Sequence, residues 1–293
     1  MNRLQRPFLN FSRTIKKTYS GKVRVNAEEA IKDMRSGSRV IVGGFGLSGI
    51  PENTIKAIRD REDLTDLEIV SDNGGSSDYS IGLLMQKHKV RRMISSFIGD
   101  NLLFQGQYLK GDIELELTPQ GTLAEKLRSG GAGVPGFYTP TGVGTLVEEG
   151  GIPIKYNKDG TVQIYSKPKE TRIIRGKKYI FEESITGDFA LIRAWKGDTK
   201  GNVVFRKTAR NFNVDAATAG KICIAEVEEL VEPGQIKPDE IHLPGIYVDR
   251  IFQGKTFERR IEKLITQESI KDNKDGVRMK IKLKLTIIFP IRT

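Results

Sequence analysis

The chain has few of the residues that build disulfides and metal centres. Its 293 residues hold one cysteine, Cys223, and two histidines, His88 and His242. A single cysteine excludes an internal disulfide framework. Ligands so few and so scattered do not make a zinc site. Cys223 sits in the apolar run KICIAEV, which reads as a strand. With no histidine beside it in sequence, it is expected to be a packed, inert thiol rather than a nucleophile. No apolar run approaches the length of a membrane span, so no membrane partner is expected. Acidic residues are missing only locally. Residues 1–26 carry seven Lys and Arg and no Asp or Glu, and residues 271–293 carry seven against two. Those ends account for +12 of a formal net charge of +11 and leave the rest near −1. A nucleic-acid binder concentrates cations on its folded body, so nucleic acid is not an expected partner either.

The basic leader MNRLQRPFLNFSRTIKKTYSGK contains Ser and Thr, lacks acids and intersperses Leu and Phe with Arg. That is the composition of a mitochondrial transit peptide, without the continuous apolar core of a secretory signal. Residues 1–22 are therefore assigned to a transit peptide, and the expected location is the mitochondrial matrix. A plain basic tail is the alternative.

The body alternates strands with helices. Asn26 followed by Glu29 resembles a capping box and opens AEEAIKDM, a helix expected to run towards Gly37. RVIVGG reads as a buried strand, and Pro51 opens the helix PENTIKAIRDR. LEIVSDNGG repeats the theme, followed by SIGLLMQKH as a helix and RRMISSFIG as a strand. GDIELELTPQ alternates, with Ile113, Leu115 and Leu117 on one side, and TLAEKLRSGG reads as a helix stopped by Gly130-Gly131. GAGVPGFYTPTGVGT is too glycine-rich and proline-broken for helix or strand. DFALIRAWKGDTKGNVVFRK reads as two strands about a hairpin-like turn, and KICIAEVEEL as another strand. The pattern implies an α/β fold with a mainly parallel open sheet flanked by helices. In such sheets ligands bind beyond the carboxyl ends of the strands.

Two glycine-bearing turns fall there. The first, GGFGLSG, contains G-x-G-x-x-G at Gly44, Gly46 and Gly49, with Glu68 19 residues further on. That spacing matches a dinucleotide fingerprint. Gly43 and Ile50-Pro51 weaken the match, and no Gly-Lys-Ser/Thr follows that would make it a Walker loop. On these residues alone a tight structural turn, a CoA or nucleotide site and an NAD site all stay open.

GGFGLSGIPENTI, SDNGG at 71–75, ELTPQGTLAEKLRSGGAGVPGFYTPTGVGT at 116–145 and ITGDFALIRAWKGDTKGNVVFRKTARNFN at 185–213 appear in this order. Together they resemble the N-terminal, α-type half of the family I CoA transferases. The resemblance is nearest to mitochondrial members that move CoA from succinyl-CoA to a 3-oxo acid such as acetoacetate in ketone-body breakdown, and covers about residues 22–266. It implies a fold like that of NagB, ribose-5-phosphate isomerase and CoA transferases, spanning residues 23–266. It implies CoA thioesters as substrates, no permanently bound cofactor, no metal and an oligomer. It also implies double displacement through a glutamate in a Ser-Glu-Asn-Gly motif of the β-type half. That motif is absent here. Glu148-Glu149 and Glu182-Glu183 are only superficial matches, so a β-type half or a full-length homologue is the expected partner. By the same resemblance Gln120 helps form an oxyanion hole and Asn73 orders the acyl or carboxylate group. Gly44, Gly46, Gly49, Asp72, Gly74, Gly130, Gly131 and Gly133 belong to the substrate cleft. Capping by Gln120, a simple turn at Asn73 and helix termination at Gly130–Gly133 are the plainer alternatives. Asp72 departs from the family, where Asn is usual. A carboxylate there would repel a carboxylate substrate unless protonated or turned away.

Residues 267–293 begin like the linker that joins fused halves. Lys280, Lys282 and Lys284 then alternate with Ile281, Leu283 and Leu285. This is a strand pattern where the next domain should open with a helix, and it reads as a frame change, a retained intron or a truncated transcript, with a real edge strand or a membrane-surface tail as the competing reading.

Overall fold

The computed structural model describes residues 21–99 and 101–257 in full, and the backbone of 263–272 and 278–287. The basic leader expected to be a transit peptide lies outside the described residues except for its last two positions. One of those, Lys22, is buried, and its carbonyl accepts from Ile251 N at 2.9 Å.

The chain opens with α1 (Ala27–Ala30), capped as expected by the Asn26 side chain accepting from Glu29 N. The helix is one turn long, shorter than the pattern predicts. Arg61 explains the shortening: its guanidinium donates to the carbonyls of Ile31 (3.0 Å) and Met34 (3.2 Å), satisfying groups that a longer helix would use itself. Four βα units follow: β1 (Arg39–Val42), α2 (Glu52–Asp60), β2 (Leu67–Val70), α3 (Gly82–Gln86), β3 (Val90–Ser95), α4 (Leu102–Leu109), β4 (Glu114–Leu117) and α5 (Gln120–Gly131). Ile113 and Leu115 are buried as their alternation predicts, whereas Leu117, at the strand end, is exposed.

An excursion then leaves the sheet. It comprises β5 (Gly136–Thr139), α6 (Leu146–Glu149), β6 (Pro153–Tyr156), β7 (Val162–Tyr165), β8 (Thr171–Ile174) and β9 (Lys177–Glu183). The run expected to be irregular thus contains a strand, β5, which pairs antiparallel with β9. The chain returns as β10 (Gly187–Asp198), hairpins into β11 (Val203–Val204) as predicted, and continues through α7 (Asn213–Ala219), β12 (Gly220–Val231) and β13 (Arg250–Gln253).

The main sheet has the order β13-β12-β10-β1-β2-β3-β4, parallel along this path, with β11 attached antiparallel to β10. Its central strands are buried on both faces, which is why they read as continuous apolar runs. Val40 and Val42 pack with Ile55, Ile58 and Leu84 on one face, while Ile41 packs with Leu123, Leu127 and Ala216 on the other. Cys223 is fully buried in that second layer. The sheet winds outward from β1 to β4, then resumes at β10 on the opposite side of β1. The boundary between β1 and β10 is therefore the topological switch point. Farther on, β14 (Lys263–Asp272) runs across the expected boundary at 266/267 and pairs antiparallel with β15 (Arg278–Ile287). No described helix is long and apolar enough to cross a membrane.

Candidate active site at the carboxyl edge of the sheet

The turns after β1, β2, β3 and β4 all leave the same edge of the sheet, and one carboxylate ties them together. Asp72, 4% exposed, follows β2. Its Oδ1 accepts from Gln120 Nε2 (3.0 Å) at the start of α5 and from Ser96 Oγ (2.9 Å) after β3. Its Oδ2 accepts from Asn73 Nδ2 (3.1 Å). The same Asn73 nitrogen donates to Gly46 O in the first glycine loop (3.3 Å), and Asn73 Oδ1 accepts from Gly75 N (2.8 Å). Both N–H groups of Asn73 are thus engaged within the protein. Gln120 has one N–H held by Asp72 and carries a second.

This arrangement answers the two questions left by the sequence. Asp72 is turned inward, its carboxylate met by three donors. Gln120 does not cap its helix: the N-cap is Pro119, which makes no side-chain capping bond. Phe45 and Phe97, 47% and 60% exposed, lie beside this network: Phe45 adjoins Gly46 in sequence, and Phe97 forms a backbone bridge with Asn73.

The first glycine loop is shaped from below by Asn213, which sequence reasoning missed. This fully buried residue accepts from Arg193 N (3.0 Å) and donates to Gly49 O (3.0 Å) and Ala209 O (2.9 Å). A Cβ on Gly43 would lie 2.2 Å from Asn213 Oδ1. No local pattern marks a buried asparagine 164 residues away from the loop it holds. Gly74 is equally constrained, since a Cβ there would approach Phe104 Cδ1 to 2.5 Å.

A Coenzyme A transferase family model matches residues 24–254. The chain belongs to the coenzyme A transferase family. It is 52% identical over 236 residues to the human mitochondrial succinyl-CoA:3-ketoacid coenzyme A transferase 2, covering 80% of this chain and 46% of that protein. It is 50% identical over 248 residues to a succinyl-CoA:3-ketoacid coenzyme A transferase subunit of Helicobacter pylori strain J99, covering 85% of this chain and 99% of that subunit. The chain therefore spans about half the length of the mammalian relatives it matches. An acyl-CoA transferase (YdiF) of Escherichia coli O157:H7, solved as a thioester complex with CoA, shares the fold at 24% identity, with a TM-score of 0.68 over 80% of this chain and 47% of that one. Glutaconate coenzyme A-transferase from Acidaminococcus fermentans does so at 20% identity, with a TM-score of 0.64 over 80% and 75%.

The glycine fingerprint of this family member lacks the surroundings of a dinucleotide site. Glu68 is the second residue of β2, in register with Arg39 at the start of β1, and pairs with Arg39 (3.1 Å) and Arg92 (3.5 Å). It thus lies at the opposite end of the strands from the loop. The N-terminus of α2, where a pyrophosphate would bind, is filled by acid. Glu226 on β12 accepts from Asn53 N (3.3 Å), Asn53 Nδ2 (3.1 Å), Thr54 N (2.9 Å) and Thr54 Oγ1 (2.9 Å). Full burial raises the Glu226 carboxyl above its ordinary value of 4.5, although those donors pull the other way. The folded state then holds this proton more tightly than the unfolded chain. The resulting stability is complete below pH 4.5 and is lost as pH rises through the folded value. Urea unfolding across that range is expected to show the loss, and Glu226→Gln is expected to remove this component of the pH slope.

Gly130 and Gly131 sit in the last turn of α5, ten residues and about 15 Å along the helix from Gln120. A Cβ on either would strike Ile185 O (2.0 Å) or Thr218 Oγ1 (2.2 Å), so both permit close packing of the helix. Gly133, at φ +73°, lies just beyond the helix end. The superficial nucleophile matches are structural ion pairs: Glu182 is held by Lys126 (3.0 Å) and Lys169, and Glu148 by Lys178.

Proposed function

We propose that this chain is the α-type component of a transferase that moves CoA from succinyl-CoA to a 3-oxo acid, working with a β-type half that supplies the nucleophilic glutamate. The observation that carries this reading is the 50% identity over nearly the whole of the Helicobacter pylori subunit. In the proposed cycle a glutamate oxygen attacks the thioester carbonyl carbon. The C–S bond breaks, CoA leaves as thiolate and an acyl–glutamyl anhydride remains. The thiolate then attacks the glutamyl carbonyl, releasing the first acid and leaving a glutamyl-CoA thioester. The second acid reverses both steps. Each attack builds negative charge on a carbonyl oxygen, and a fixed N–H aimed at that oxygen lowers the barrier. Gln120 is suited to this role because Asp72 fixes one N–H and leaves the other available. Asn73, with both N–H groups engaged, is assigned to holding the glycine loop against the site. Its carbonyl oxygen, bonded to Gly75 N, retains only accepting capacity towards a ligand.

The test is a succinyl-CoA plus acetoacetate assay on the purified chain, with and without a separately expressed β-type half. Turnover only in the mixture is expected. Turnover by the chain alone would place the nucleophile in this chain, and silence in both would favour a protein that pairs without catalysing. We also propose the mitochondrial matrix as its location, on the strength of the basic leader. Bacterial subunits resemble the body as closely as mitochondrial proteins do, so the leader carries this reading. Import of a fusion bearing residues 1–22 checks it.

A further inference from the structure

The excursion carries a feature apart from the candidate site. β8 and β9 form a hairpin whose turn is Arg175-Gly176. Both turn residues are left-handed, at φ 51° and 76°, as a two-residue hairpin turn of this kind requires, and arginine is an uncommon choice for the first of them. Residues 171–178 are all exposed, so the end of the hairpin is open to solvent on both faces. Its apolar residues are Ile173 and Ile174, 74% and 37% exposed. Successive strand residues point to opposite faces. Ile173 is in register with Lys178 and Ile174 with Lys177, so each face carries one isoleucine and one lysine. Residues 167–178 hold six Lys and Arg against one acid, Glu170, which accepts from the Tyr138 hydroxyl. Lys169 and Lys178 pair with Glu182 and Glu148, and Arg172 lies over the Tyr138 ring. Among the described residues the Arg175 and Lys177 side chains have no hydrogen bond or ion pair.

We propose that this hairpin seats the protein on an anionic lipid surface. Such binding needs no spanning helix, only apolar side chains that enter the headgroup boundary and cations that meet the charged headgroups. The two isoleucines supply the first. The long stems of Arg175, Lys177 and Lys178 lie along them and keep their charges beside lipid phosphates. Only a medium that surrounds the hairpin covers both of its faces at once. A peptide strand added to the open edge of β8 would extend the sheet and leave both faces bare. A second copy of the chain at this place would set like charges against each other. No residue of the hairpin belongs to the hydrogen-bond network around Asp72, so changes here leave the candidate site as it is.

The full-length chain is tested on vesicles of phosphatidylcholine alone and of equal parts phosphatidylcholine and phosphatidylglycerol. The basic leader and tail also attract anionic lipid, so the readout must report on the hairpin itself. Cys223, the one cysteine, is fully buried, so Ile173→Cys puts the accessible thiol on the hairpin. Labelled there with nitrobenzoxadiazole, a dye that brightens and shifts to the blue in lipid, the chain is expected to respond to the anionic vesicles and not to the neutral ones. In cosedimentation, Arg175→Gln combined with Lys177→Gln is expected to weaken partitioning onto anionic vesicles by about thirtyfold, the share of two cations near such a surface. Ile173→Ser combined with Ile174→Ser is expected to weaken it by about tenfold. All four residues are exposed, so the fold tolerates both changes. A dye that does not respond to anionic vesicles, or partitioning indifferent to either double variant, would overturn the proposal and leave lipid binding to the leader and tail. A dye response without lipid, on raising the chain concentration or adding a β-type half, would assign the hairpin to a protein partner and overturn it as well.

Discussion

Gln120→Ala, assayed with a β-type half, is expected to lower kcat by about 10²–10³, the loss that follows removal of one oxyanion donor. KM should change little, because the donated bond strengthens only as charge develops on the carbonyl oxygen. Asp72→Ala is the informative companion. A carboxylate can only accept, so it dictates that the nitrogen of Gln120 faces it. An alanine presents no acceptor and leaves the Gln120 amide free to turn. A loss of about tenfold, again mainly in kcat, is expected from that weakened positioning. An unchanged kcat in Gln120→Ala would return this residue to a purely structural part, and the oxyanion donor would then have to come from the other half.

Arg193→Ala is expected to be the most destabilising single change. Its guanidinium is 7% exposed and bridges Glu52 (3.1 Å), itself 1% exposed, to Glu228. It also lies 4.5 Å from the ring centroid of Phe257. Glu52 keeps the partly exposed Lys56 at 3.4 Å, but loses its buried partner, and the expected loss is about 3 kcal/mol. Against a total stability of about 5–15 kcal/mol this brings the fold close to its limit. Urea unfolding reads the effect as a lowered midpoint at unchanged slope. Arg193→Met combined with Glu52→Gln should recover much of the loss, since neither charge of the pair then stays buried. A decrease below about 1 kcal/mol in the single variant would show that solvent reaches Glu52 in solution.

The central strands β1, β2 and β10 were legible because they are buried almost throughout and read as apolar runs, and β4 because its residues alternate. The position of the candidate site was legible because parallel strands place their following turns on one edge. The excursion was not. All four residues of β8 are exposed, and β7 is exposed over three of its four positions, so neither carries an apolar face to signal its period. The fingerprint around Gly44 misled for a different reason. Spacing along the chain does not reveal which end of β2 holds Glu68, nor that Glu226, on a strand far along the sequence, fills the helix terminus. Asp72 is the case in between. Its identity raised a question of orientation, and only the positions of Ser96, Asn73 and Gln120 around it show which way the carboxylate turns.

The long return from β4 to β10 also sets a clock on synthesis. Val40 pairs with Phe189, 149 residues later, so β1 emerges from the ribosome well before the strand that covers one of its edges. At about 5–20 residues per second, that edge waits roughly 7–30 s. The β1–β4 half can assemble during this interval, but with an apolar central strand of the finished sheet still serving as a border. A growing chain in that state is open to pairing with its neighbours on the same message. The same switch point that bounds the crevice of the folded protein is thus the place where a nascent chain carries an unpaired apolar border.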